Sequence, residues 1–502
     1  MDQKAEALNR FRAAEEKSKA IAYATSILFW DASTGAPKSG AEARSRSIGT
    51  LSGFEYEMLV NDQMKQDLEL LSEQLDTLEE IDRRRVINVK KAYDRLMKIP
   101  QDEYERFSAL TSKSATIWEE AKEASDFERF KPYLEEIVGY LQKFTEYWEV
   151  KGNPYDAFID QYEEGMTAEK LDVFFGTLKE MLVPLIQKVN QKKDSIDDSF
   201  LRRHYPTQDQ AKLSVDMLDR IGYDRARGMF KESVHPFTMG VDIDDVRLTT
   251  HYYENDLRSA LLSSVHEGGH ALYEQNIDRS LQGTSLATGA SLGIHESQSR
   301  LFENNLFKSR SFLSFYYPKV KETFEAQLSD VDFESFYAGL NRSVPSLIRT
   351  EADELTYCLH IMVRYEIEVG LLNSTLRVED LPQIWKEKMA SYLGVVPEND
   401  AEGVLQDVHW SEGMFGYFPT YAIGSALAAQ LEHALRKEVD VDACLSRGDF
   451  APIKAWLGEK VHRFGALKTP EEVVLYATGE PLNPRYYGAY LTKKYSELYG
   501  LD

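Results

Sequence analysis

Apolar residues recur every three or four positions along most of this chain, and that spacing commits it to helices packed on helices. Leu71, Leu75, Leu78 and Ile81, then Val86, Val89, Tyr93 and Leu96, follow the step until Pro100 interrupts it. Ser125 and Asp126 offer N-caps to a run from Phe127 to Leu141, and Thr167 opens another from Ala168 to Val183. The same spacing recurs over 302–324, 333–340, 355–371 and 423–435. One stretch departs from it. FTMGVDIDDVRLTTHYY, residues 237–253, alternates Val, Ile, Leu and Thr around Gly240 and a turn candidate at Asp244-Asp245, which predicts a small hairpin or sheet. The fold class is therefore mainly α, with a little β just ahead of one helix.

At 502 residues the chain exceeds the size at which a single core stops growing. It reads as a single domain, residues 1–502, of two helical lobes flanking a deep cleft, with no linker that places a boundary. The formal charge of −24 argues against nucleic acid and against an anionic membrane surface as partners. Two cysteines, Cys358 and Cys444, form no disulfide scaffold and suit a reducing compartment. The opening MDQKAEALNRFRAAEEKSKA is a charged helical pattern without an apolar signal core. A cytoplasmic protein is the expectation.

Five of the ten histidines fall between His235 and His295. The segment SSVHEGGHALYE places His266 and His270 four residues apart, so on a helix both imidazoles share a face. His-Glu-x-x-His is the arrangement of a catalytic zinc site, in which the glutamate, here Glu267, works on water and does not bind the metal. Gly268 and Gly269 are costly inside a helix and call for a close approach, by substrate or by a facing backbone. A catalytic zinc needs a third protein ligand. TGASLGIHESQSRLFENN offers His295, Glu296 and Glu303 downstream, and spacing alone does not choose between the two glutamates.

Six ordered motifs then carry a resemblance. They are His235-Pro236-Phe237, Asp245-Val246-Arg247-Leu248-Thr249, His266-Glu267-Gly268-Gly269-His270, His295-Glu296-Ser297-Gln298, Ile348-Arg349-Thr350-Glu351-Ala352-Asp353, and the segment from Gly403 to Trp410. With Trp30, Asp31, Thr34, Pro37, Gly40 and Arg44 near the start, the chain resembles the carboxypeptidase Taq family of zinc metallocarboxypeptidases over nearly its whole length. The resemblance implies a helical groove enzyme, similar to the neurolysin and angiotensin-converting-enzyme group, that works as a homodimer. It implies removal of C-terminal residues from peptides with broad tolerance, using one Zn2+ per chain, or Co2+ in some members. It carries the metal ligands onto His266, His270 and Glu296, and the catalytic glutamate onto Glu267.

Further roles follow from chemistry. His409, Tyr417 and Tyr421 are candidate donors to a developing oxyanion. A free C-terminus calls for a guanidinium fork, so Arg349 is the first candidate anchor and Arg247 the second. An ion pair of Arg349 with Glu351 or Asp353 is the structural alternative. His235 either lines the end of the cleft or is structural, the hairpin with Arg247 offers an edge to an extended peptide, and Asp407 orients His409 or a metal-bound histidine. An endo-oligopeptidase with the same zinc chemistry is the rival function. A peptide-binding protein with a structural zinc is the other.

Overall fold

The computed structural model describes residues 3–501 and is mainly helical, with a single three-stranded sheet. Side-chain caps form as hydrogen bonds, the predicted ones at Asp126 and Thr167 among them. Asp126 accepts from the Arg129 amide, Thr167 from Lys170, and Asp256 from Arg258 and Ser259 at the start of the helix Leu257–Gln275. This is the HEGGH helix. Two predicted runs are divided. The first splits into Asp62–Ser72 and Glu80–Lys98, and the second into a π-helical stretch, Leu301–Phe307, and an α-helix, Arg310–Thr323.

Most buried apolar side chains form one continuous core, from Leu110 to Tyr499. A second, small cluster ties the N-terminal helix Gln3–Thr34 to the next helices through Phe11, Leu68, Leu71 and Val86. Cys358 and Cys444 are both buried free thiols. Among the described residues, no helix is long and apolar enough to cross a membrane.

The sheet comprises β1 (Gly228–Glu232), β2 (Thr238–Asp242) and β3 (Asp245–Thr250), in the order β1-β3-β2. β2 and β3 are the predicted hairpin, turning at Ile243-Asp244, and β1 adds a parallel partner to β3. Val246 and Leu248 of β3 are fully buried, and Thr250 meets Ser263 of the HEGGH helix at 2.7 Å. Arg247 therefore lies on the central strand. Of the predicted hairpin it is β2, and not the strand carrying Arg247, that stands at an edge of the sheet.

Candidate active site

Two glycines decide how closely the HEGGH helix is packed. A Cβ on Gly268 would come within 2.5 Å of Ile221, on the helix Thr207–Ile221. A Cβ on Gly269 would sit 2.6 Å from the Gln298 carbonyl oxygen and 2.7 Å from the Ser299 Cα. Those atoms belong to the helix Leu292–Arg300, the HESQ helix, so Gly269 admits a facing backbone, whereas Gly268 admits the Ile221 and Leu218 side chains. A third glycine completes the arrangement. On the helix Pro419–Leu435, a Cβ at Gly424 would strike the Glu296 side chain at 2.5 Å. Gly269→Ala is expected to destabilise the protein by about 1–3 kcal/mol, because backbone cannot give way as a side chain can. Gly139→Ala, in the helix Phe127–Tyr147 with nothing within 4 Å, should instead leave it as stable or more so. Denaturant unfolding of the two variants checks the contrast.

This packing brings three donors together. His266 Nε2 lies 3.7 Å, and His270 Nε2 3.4 Å, from Glu296 Oε2. The three residues offer ligand atoms all within 4.8 Å of one another. Donors about 2.0–2.2 Å from a shared tetrahedral centre sit roughly 3.3–3.6 Å apart, so this set fits a divalent ion. Two imidazoles and a carboxylate are also the right chemistry for one. Glu303 belongs to the next layer out, where its Oε2 meets His266 Nδ1 at 2.8 Å. The geometry thus separates the two glutamates that spacing left open. His295 Nδ1 lies 2.6 Å from His270 Nδ1, and its Nε2 lies 2.7 Å from Glu274. Arg300 donates to Glu296 at 2.6 Å and stacks 4.5 Å from the Tyr357 ring.

Electrostatics follow from burial and pairing. Burial pushes the His270 imidazole down to about 3, keeping it neutral with a lone pair to give. At His266 burial acts the same way, but Glu296 and Glu303 outweigh it and raise the pKa. Burial also raises the Glu267 carboxyl, against a hydrogen bond from Thr238. The Thr238 hydroxyl, on the first residue of β2, lies 2.7 Å from Glu267 Oε2 and holds that carboxylate beside the donor set.

Arg349, Asp407, His409, Tyr417 and Tyr421 form a neighbouring wall, which Arg247 and His235 do not join. Arg349 is buried, donating to Asp407 Oδ1 from Nε at 3.0 Å and Nη2 at 2.7 Å, and to Tyr357 Oη at 3.0 Å. Its partner is thus Asp407, and neither Glu351 nor Asp353; the latter accepts instead from Ser343 and the Val344 amide. Asp407 Oδ2 receives Arg364 Nε at 2.6 Å. Burial alone would raise the Asp407 carboxyl, but Arg364 and Arg349 hold it well below the usual range. With both oxygens taken, Asp407 orients arginines, not a histidine. His409 Nδ1 is buried without a partner, and burial pushes its imidazole down to about 4. Tyr417 and Tyr421 stack edge to face at 5.4 Å, and Arg349 lies 5.1 Å from the Tyr421 ring. Arg247 pairs bidentately with Asp245 and lies 5.6 Å from Trp30. His235 is exposed on the β1–β2 loop, its carbonyl accepting from Ser233.

Thr238, Glu274, Arg300, Tyr357 and Arg364 escaped the sequence reading. Glu274 had a detectable signal, standing four residues after His270 on the same helix. Arg364 had none, because its meeting with Asp407 depends on how distant segments pack.

A helix-borne His-Glu-x-x-His pair, joined by a glutamate from a second helix inside a helical fold, defines the class of metallopeptidases. The profile of the carboxypeptidase Taq (M32) metallopeptidases matches residues 10–495, and the chain belongs to that family. It is 46% identical over 477 residues to carboxypeptidase 1 of Bacillus subtilis (strain 168), covering 95% of each chain. With thermostable carboxypeptidase 1 of Pyrococcus furiosus it shares 36% over 483 residues, covering 95% of this chain and 96% of that one. The crystal structure of the M32 carboxypeptidase from Deinococcus radiodurans R1 superposes with a TM-score of 0.93 at 36% identity, covering 98% of this chain and all of that one. The protein is a metallocarboxypeptidase, hence a peptide hydrolase, and its family implies a divalent metal.

Proposed function

We propose a zinc-dependent carboxypeptidase that removes C-terminal residues from peptides with broad side-chain tolerance. The observation that carries this reading is the meeting of the two imidazole Nε2 atoms with Glu296 Oε2, while both Nδ1 atoms are held from behind. His266, His270 and Glu296 would hold one ion per chain. Zinc, or cobalt, supplies Lewis acidity that makes water nucleophilic near neutral pH and polarises the scissile carbonyl. Glu267, fixed by Thr238, takes the proton of the attacking water and passes it to the leaving amine. His409 and Tyr421 face the developing oxyanion as donors.

Arg349 receives the terminal carboxylate. Two buried guanidinium groups share the single carboxylate of Asp407, which leaves a surplus positive charge for an incoming anion. Tyr417 lines the same wall, and Arg247 and His235 contact substrate further out. Residues 1–502 act as one catalytic domain whose helical lobes flank the cleft. The enzyme works as a cytoplasmic homodimer.

The test is mass spectrometry of one peptide, as free acid and as C-terminal amide, incubated with zinc- or cobalt-loaded protein. A ladder shortening from the C-terminus of the free acid, with the amide spared, is expected. Internal fragments from both peptides would identify an endo-oligopeptidase. No cleavage with either metal would leave a peptide-binding protein.

A further inference from the structure

We propose that His295 and Glu274 are positioning residues, forming a relay that fixes the tautomer of His270 and strengthens its hold on the metal. The inference rests on the metal-site reading above. His270 presents Nε2 to Glu296 at 3.4 Å and Nδ1 to His295 Nδ1 at 2.6 Å. Two ring nitrogens hydrogen-bond only when one carries the proton and the other a lone pair. His270 needs the Nε2 lone pair for the ion, so its neutral ring carries the proton on Nδ1 and donates. His295 must then accept at Nδ1 and carry its own proton on Nε2. That nitrogen lies 2.7 Å from Glu274 Oε1, and a carboxylate only accepts. Each assignment follows from its neighbour, and only one order of protons satisfies all three groups.

The relay is also held in place. Glu274 is 6% exposed, one turn beyond His270 on the same helix. A Cβ on Gly240 of β2 would come within 2.7 Å of Glu274 Oε2, so the strand closes over the carboxylate. A Cβ on Gly289 would come within 2.8 Å of the His295 ring, so the preceding loop closes over the imidazole. His266 reaches a carboxylate directly, through Glu303, whereas His270 reaches one through an intervening imidazole. Both ligands thus end on a negative charge that makes the metal-facing nitrogen a better donor. Such outer partners are worth about 10–100-fold in metal affinity.

The test is chelator competition for Zn2+, with circular dichroism of each protein, on wild type, His295→Leu, Glu274→Met, Glu274→Gln and the double variant His295→Leu/Glu274→Met. The two single apolar variants should bind zinc about 10–100-fold more weakly. Glu274→Gln keeps an acceptor oxygen and should lose less. The double variant should lose no more than His295→Leu, because both changes break one relay. Nitrogen-15 NMR of histidine-labelled, zinc-loaded wild type should place the His295 proton on Nε2 alone, a readout that needs no substitution. Wild-type affinity in folded His295→Leu and Glu274→Met, additive losses in the double variant, or a proton on His295 Nδ1 would overturn the relay. Failure of the wild type itself to bind zinc would instead remove the metal-site reading on which it rests.

Discussion

Glu267→Gln is expected to retain the metal and lose turnover by about 10²–10⁴-fold, the usual range for a positioned general base. The residue sits between His266 and the two glycines, but its carboxylate is turned to Thr238 and is not one of the three converging donors. An amide of the same shape keeps that contact and cannot accept a proton. Metal content by atomic absorption, alongside kcat on a free-acid peptide, separates the roles. A variant with full zinc and wild-type kcat would assign the base elsewhere.

The second large effect concerns Arg349, Arg364 and Asp407. Asp407→Ala strands two buried guanidinium groups, Arg364 fully so, and should cost about 3–5 kcal/mol of stability. Arg349→Ala leaves the Asp407–Arg364 pair intact and should fold. Its kcat/KM on free-acid peptides should nonetheless fall by about two orders of magnitude, as when one partner of a buried charge pair is removed. Urea unfolding reads the first variant and steady-state kinetics the second. Undiminished hydrolysis of free-acid peptides by Arg349→Ala would place the carboxylate anchor on another residue.

What was legible in the sequence was local. The four-residue step between His266 and His270, the Asp126 and Thr167 caps and the glycine pair each act within a turn or two of helix, and each predicted its neighbourhood. The choice between Glu296 and Glu303 was not local. It depends on how the HESQ helix is rolled against the HEGGH helix, to which the close contacts of Gly269 with Gln298 and Ser299, and of Gly424 with Glu296, both contribute. Charges near Arg349 suggested Glu351 or Asp353 as its partner, and the chain folds back to supply Asp407 instead. The run from Leu71 to Leu96 kept its apolar spacing across a break, because periodicity reports which face is buried and not whether the backbone is continuous. β1 escaped because GMFKE shows no clear alternation.

The helix Pro419–Leu435 serves as a ruler. Its Gly424 rests on Glu296, and its Tyr421, three residues earlier, lies beside Arg349. A helix rises about 1.5 Å per residue, so these two contacts are about 4.5 Å apart along the axis of one stiff rod. The offset between the carboxylate of the donor set and the arginine wall is therefore a property of secondary structure. Surface loops can lengthen, shorten or change sequence without rescaling it.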